Sequence, residues 1–330
     1  MAMTTPPPAG SLPAGGTAPD MAADSASGML AGTGTAHAGV RVAPARPRGL
    51  LRRGFEVFAE NKPALAGLGV MAFMILFCFV GPLVYRTDQV HTNLNDVLCT
   101  PSARHLLGCD DVGYDVLGRL MIGGQTSLEV GVAAAFVSVL FGTLYGAISG
   151  FLGGIADAVM MRIVDAGLSL PPIVVTIILS VIFHPSPLVM IFIIAVFYWL
   201  SVARLIRGET LALRSREYVQ SVRVLGGGKR RAIVRHILPN AIGTIIVQAT
   251  FAIADSILLL SALGFLGLGV QAPATDWGSM LSGGLNYLQS SQSYWWLIYP
   301  PGVAIILVCI SFNFIGDALR DAFETRLQRR

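Results

Sequence analysis

Long apolar runs, divided by short polar stretches, dominate the chain from residue 64 onward. A helix needs about 20 mainly apolar residues to cross ~30 Å of hydrocarbon. Six windows meet that length: 64–85, 128–150, 158–183, 187–206, 240–266 and 294–316. The second and fifth are rich in glycine, and the third contains Pro171-Pro172. Such residues are tolerated in membrane helices because neighbouring helices satisfy the freed backbone groups. Windows three and four are divided only by the tight-turn signal His184-Pro185-Ser186-Pro187. The pattern predicts an all-α membrane protein with six transmembrane helices in a domain over 64–317. One long loop covers 86–127 and another covers 207–239.

Composition supports lipid as the solvent. The chain is 54% hydrophobic and 13% charged, about half the charge that a water-facing surface carries. Charge then sets the orientation. With both termini cytoplasmic, 20 of the 23 Lys and Arg face inward, as the positive-inside rule requires. Only Arg86, Arg104 and Arg119 lie outside. The expected location is a bacterial plasma (inner) membrane, crossed several times.

Residues 1–48 hold 7 of the 18 prolines and few large apolar residues, which predicts a disordered cytoplasmic tail. A basic start followed by an apolar run is missing, so the tail does not read as a signal peptide. Residues 49–63, with Arg52, Arg53 and Phe55-Glu56-Val57-Phe58, read as an amphipathic or basic segment on the membrane surface. Residues 318–330 read as a cytoplasmic C-terminal tail.

Few residues offer chemistry. The five histidines are scattered across the tail and separate loops, which argues against an integral membrane enzyme. Cys78 and Cys309 sit inside spans and read as packing residues. Cys99 and Cys109 lie in the outside loop, ten positions apart, where a disulfide is permitted; a bridge and a pair of free thiols both fit. Asp165 and Asp255 fall inside spans, where a carboxylate is a functional candidate. Arg162, one turn before Asp165, is positioned to pair with it. Asp255 has no local cation and fits a translocation path, where it would meet a cationic group such as a peptide amine; a buried helix–helix hydrogen bond is the alternative.

The stretch from Arg214 to Asn240 carries the strongest signal. Glu217 to Leu225 reads as a short helix stopped by Gly226-Gly227-Gly228, and Pro239 stands at the start of span five, where its missing N–H is harmless. Gly226 to Arg230 lacks the G-x-x-x-x-G-K-[ST] spacing and a preceding strand, and no other stretch supplies them. Any ATP and Mg must therefore be bound by another chain. No cofactor, metal or nucleic acid is expected here.

This loop resembles the EAA loop of bacterial ABC-importer permeases, E-A-A-x-x-x-G followed later by I-x-L-P. The motif letters fall on Gln220-Ser221-Val222, the glycine on Gly226 and the ending on Leu238-Pro239, with His236 in the isoleucine place. Four further stretches occur in the same order. They are His105 to Leu120, similar to H-P-L-G-T-D-x-x-G-R-D-V-L-S-R-L; Met161 to Asp165 with Pro171; Phe265 to Gln271 with Trp277-Gly278-Ser279-Met280; and Phe312-Asn313 with Gly316 to Asp321. Together, over roughly 50–330, they resemble the C-type permease of the oligopeptide/dipeptide/nickel family.

The resemblance implies a type I importer (MetI-like) fold and alternating access. It implies a B-type permease partner, two ABC ATPase subunits or domains and an extracytoplasmic solute-binding protein. Glu217, Gln220, Ser221, Val222, Gly226, Leu238 and Pro239 would couple to the ATPase. Binding-protein docking falls to the outside segments, with Asp110, Asp111, Asp115, Trp277 and Tyr287 as exposed candidates. Trp295-Trp296 read as interfacial belt residues. Asp110, Asp111 and Asp115 with His105 have the residue types of a metal site but belong to the loop pattern. Peptides are the expected cargo, with nickel or another small solute as the alternative. A stand-alone secondary transporter or channel is the rival class, but the chain shows no duplicated half or filter-like loop.

Overall fold

The computed structural model describes residues 60–224, 228–287 and 294–327. The tail over 1–48, most of segment 49–63, and Gly226 lie outside the described residues. Among the described residues the fold is all helical.

Helix α1 (Lys62–Phe79) starts where Asn61 accepts a hydrogen bond from the Ala64 amide at 3.2 Å, and Pro63 occupies the first turn. Its buried residues, Ala64, Gly67, Met71, Met74 and Cys78, recur every three or four positions. They form one stripe, and apolar side chains on the other faces stay exposed, as lipid contact requires. A short turn, α2 (Gly81–Val84), leads into the loop over 85–115.

Helix α3 (Val116–Leu152) is the centre of the bundle. It is followed by α4 (Gly154–Leu168), α5 (Pro172–Ile182) and α6 (Pro187–Arg214). Gly142, Gly146 and Gly150 present a bare stripe to α6. A Cβ on Gly146 would lie 2.3 Å from the Ala203 carbonyl oxygen. Small residues at a four-residue spacing let two backbones approach closely where lipid offers no hydrophobic drive. Gly153 and Gly154, at φ +66° and +59°, make the reversal between α3 and α4.

The third predicted span is not one straight helix. The axes of α4 and α5 are bent by 81°, because a proline disfavours helical geometry in the residue before it and cannot donate an N–H. Among the described residues five other helices are long and apolar enough to cross a membrane, and six candidates result if the bent pair counts as one.

After α6 come α7 (Glu217–Val224) and α8 (Lys229–Ala232), then a π-helical turn (Ile233–Ile237) running into α9 (Leu238–Phe265). Helix α10 (Trp277–Leu285) is short, and α11 (Trp295–Leu327) closes the bundle against α1 and α9. Residues 318–327 continue α11 rather than forming a separate tail. Hydropathy reports where lipid contact ends, and nothing in Gly316 to Asp321 stops a helix.

Candidate functional site

The bundle has two functional ends: a basic end carrying residues 215–237 and a cap end carrying residues 85–115. At the basic end, one of the described side chains of α7 roots it in the bundle. Val219 is wholly buried and packs in a cluster with Phe151, Ala232 and Ile237, with Leu213 and Ile233 at its margin. Its neighbours Glu217, Tyr218, Gln220 and Ser221 are all exposed. Ser221 Oγ donates to the Glu217 carbonyl at 2.9 Å, and Gln220 Nε2 donates to the Ser215 carbonyl at 3.1 Å. The result is a short helix with an apolar root in the bundle and a polar face turned away from it. Val222 lies in the same helix. Leu238 packs on the α3–α6 cluster, and Pro239 sits in the first turn of α9.

Two ion pairs tie α4 to α6 near this end. Asp157, buried, accepts from Arg207 Nε at 3.1 Å and from Ser149 Oγ at 2.6 Å. Asp165 pairs with Arg204 of α6. The expected partner, Arg162, is exposed instead. A partner on a packed neighbouring helix overrides the i,i+3 geometry that sequence spacing suggests.

At the cap end, Asp115 is a hub. Its Oδ1 caps α3 by accepting from the Gly118 amide at 2.9 Å, and its Oδ2 accepts from Tyr85 Oη at 2.9 Å. His105 Nδ1 lies 3.0 Å from the same Oδ2. Cys99 and Cys109 are joined by a disulfide with Cα atoms 4.9 Å apart. Both sulfurs are used in that bond, so the grouping of Cys99, His105 and Cys109 offers no thiolate to a metal. Gly113, at φ +85°, passes so close to Asn93 that a Cβ would meet its carbonyl oxygen at 1.9 Å.

The second cap element is α10. Trp277 is wholly buried; its Nε1 donates to the Leu120 carbonyl at 2.9 Å and its amide to Ser127 Oγ at 3.2 Å. Asp276 caps α10 through the Ser279 amide at 3.0 Å and also accepts from the Val270 amide at 3.1 Å. Burial pushes the Asp276 carboxyl above the usual carboxylate range, against the pull of these donors. Trp277 and Asp115 were expected to be exposed docking residues, and both are buried. They hold the cap together instead. Trp296 is likewise buried, against Val116, rather than sitting in an interfacial belt. We predict that Trp277→Ala destabilises the bundle by about 3–5 kcal/mol, read as a lower thermal midpoint in detergent, with Trp277→Phe costing less than half as much.

Comparison with known proteins is decisive. Residues 142–329 match the profile described as binding-protein-dependent transport system inner membrane component. Residues 49–101 match the N-terminal TM domain of oligopeptide transport permease C. The oligopeptide transport system permease protein OppC of Haemophilus influenzae is 40% identical over 271 residues, 82% of this chain and 86% of that protein. The dipeptide transport system permease protein DppC of Bacillus subtilis is 38% identical over 270 residues, 82% of this chain and 84% of that protein. The chain belongs to this permease family.

In this permease the matched motifs now have physical roles. The stretch from His105 to Leu120 builds the Asp115 hub, and Trp277-Gly278-Ser279 locks α10 onto α3 and α9. Gly278 allows the lock, since a Cβ there would meet the Ser261 carbonyl oxygen at 2.1 Å. Asp111 is exposed, while Asp110 and Tyr287 are half-buried. A cleft of ≈ 190 Å³ opens beside them, lined by Asp110, Asp111, Arg119, Thr275, Ser279 and Met280 among others. Burial pushes the Asp110 carboxyl up, opposed by the Tyr114 and Val112 amides and by Arg119. Asp255 is exposed on α9. Glu129 of α3 is a further exposed acid within a span, in line with Val132, Phe136 and Leu140. The sequence signal for it was a carboxylate at the second residue of the 128–150 window, the same signal that picked out Asp165 and Asp255.

Proposed function

We propose that this chain is one of two membrane subunits of an ATP-driven importer of di- and oligopeptides, working by alternating access. The observation that carries the reading is α7: a helix rooted by Val219 with Glu217, Tyr218, Gln220 and Ser221 exposed, in a chain 40% identical to an oligopeptide transport permease. A rooted helix transmits displacement to the bundle, and an exposed polar face suits the cleft of a soluble ATPase.

On this reading both termini and the basic end are cytoplasmic, and the cap end faces outward across a bacterial inner membrane. The positive-charge asymmetry supports that orientation. A B-type permease completes the pore, and two ATPase subunits or domains bind ATP and Mg below it. An extracytoplasmic binding protein docks above, on the cap around Asp111, Asp110 and Tyr287. This chain catalyses no reaction itself. Glu217, Gln220, Ser221 and Val222 belong to the coupling helix, Gly226 takes the glycine place of the loop motif, and Leu238-Pro239 opens α9.

The test is purification of the tagged chain from its own membranes in mild detergent, followed by mass spectrometry and reconstitution. A second permease, ATPase subunits and a binding protein are expected to co-purify, and ATP-dependent tripeptide uptake is expected in proteoliposomes. A chain that comes alone and transports without ATP would overturn the reading.

A further inference from the structure

Asp255 sits where a carboxylate needs a partner. It lies ten residues before Phe265, the last residue of α9. At 1.5 Å per residue that is about 15 Å along the axis, near the middle of a hydrocarbon layer ~30 Å thick. Its side chain is exposed on the surface of the chain. Among the described residues nothing gives its carboxylate a hydrogen bond or an ion pair. Leu258, one turn later, is exposed on the same side.

The flanking helices bring polar groups to the same level. Tyr198 of α6 donates its hydroxyl to the Asp255 carbonyl oxygen at 3.1 Å, which leaves the phenolic oxygen able to accept. Cys309 of α11 lies against the Ala254 carbonyl at 3.8 Å. The face between α6 and α11 therefore holds a carboxylate and a phenol at mid-depth. A carboxylate turned to lipid there is unfavourable, so such groups face water or a cation.

We propose that Asp255 is a cation site in the translocation pathway that receives the protonated amino terminus of the peptide midway across the membrane. The proposal rests on the peptide-importer reading above. Every unmodified peptide carries one terminal ammonium whatever its side chains, so one fixed carboxylate serves varied cargo without reading sequence. The ammonium is costly to strip of its hydration water, and an anion at mid-depth offsets that cost. Tyr198 Oη is placed to accept a second N–H, and Leu258 offers an apolar flank for the rest of the chain.

Two measurements on the complete reconstituted complex test it. The first compares ATP-driven uptake of a free-amine tripeptide and its N-acetyl twin in native, Asp255→Asn and Asp255→Glu complexes. Asn is expected to lower free-amine uptake about tenfold, equivalent to ~1.4 kcal/mol, and to leave the acetylated peptide within about twofold of its native level. Glu is expected to restore free-amine uptake. Equal loss for both peptides, no loss for either, or failure of Asp255→Asn to co-purify with its partner would overturn the proposal; the last would assign the carboxylate to a subunit contact.

The second measurement is independent of cargo delivery. Asp255→Cys, with Cys78 and Cys309 replaced by alanine, is expected to react with a water-soluble maleimide and to be shielded by saturating tripeptide. A thiol that stays unreactive in every nucleotide state would overturn it. Should the native complex carry no peptide at all, the importer reading fails, and the labelling still decides whether position 255 faces water.

Discussion

Val219→Asp is expected to lower ATP-driven peptide uptake at least tenfold while the complex still assembles and still hydrolyses ATP. The reason is the way α7 is attached. Of its described side chains, Glu217, Tyr218, Gln220 and Ser221 are exposed and only Val219 is buried, at 0% exposure among Phe151, Ala232 and Ile237. A carboxylate cannot stay in that pocket unpaired; it either takes up a proton or leaves, and leaving pulls the root of the helix out. The exposed polar face, which we propose meets the ATPase, is untouched, so docking and basal hydrolysis are expected to persist. What is lost is the packing that links α7 to the basic ends of α3 and α9. Val219→Ala keeps an apolar root and is expected to fall between the two, with uptake reduced a few-fold. The measurement is hydrolysis and uptake side by side in proteoliposomes, with and without peptide-loaded binding protein. Native stimulation of hydrolysis in Val219→Asp would show that α7 does not transmit the stroke.

The root of α7 also shows what a sequence can and cannot reveal. The short helix and Pro239 were legible because caps and breakers act locally. Five of the six apolar windows were legible because lipid exposure writes itself into every residue of a span; the third falls on the bent α4–α5 pair. Side-chain partners were not. Asp165 pairs with Arg204, 39 positions away, and not with Arg162, because the close packing of α4 on α6 sets the distance. Trp277 and Asp115 looked like surface residues in a loop-rich region. Each is buried by contacts that span long stretches of chain: Trp277 reaches Leu120 across 157 positions, and Asp115 reaches Tyr85 across 30. The bend at Pro171-Pro172 was visible as a composition feature, but its 81° angle depends on what α5 packs against. Polarity and period predict which residues meet solvent or lipid; they do not predict which helix arrives beside them.

The α3–α6 contact is the strongest instance, and it yields the second large expected effect. Gly146→Leu is expected to prevent folding, with no monodisperse protein recovered from membranes that yield the native chain. A Cβ at this position would sit 2.3 Å from the Ala203 carbonyl oxygen and 2.9 Å from the Arg207 amide nitrogen. Both are backbone atoms of α6, which cannot rotate aside as a side-chain tip can. A Cβ on Gly142 would lie 2.6 Å from the Trp199 carbonyl oxygen and one on Gly150 2.8 Å from that of Arg207, so α6 cannot pivot about one point to make room. Gly146→Ala is expected to cost about 1–3 kcal/mol. Gly208→Ala, in α6 where a Cβ would meet nothing within 4 Å, is expected to stabilise by about 0.5–1 kcal/mol, the helical advantage of alanine over glycine. Recovery of Gly146→Leu, with thermal midpoints of Gly146→Ala and Gly208→Ala in detergent, therefore separates packing from propensity, and a Gly146→Leu protein recovered as heat-stable as native would refute the close contact. The same contact bears on the proposed stroke. Two helices closely packed over about two turns, with Asp157 bridging α4 to Arg207 at one end, form one unit through which a push delivered at Val219 and Phe151 would be carried toward the cap end.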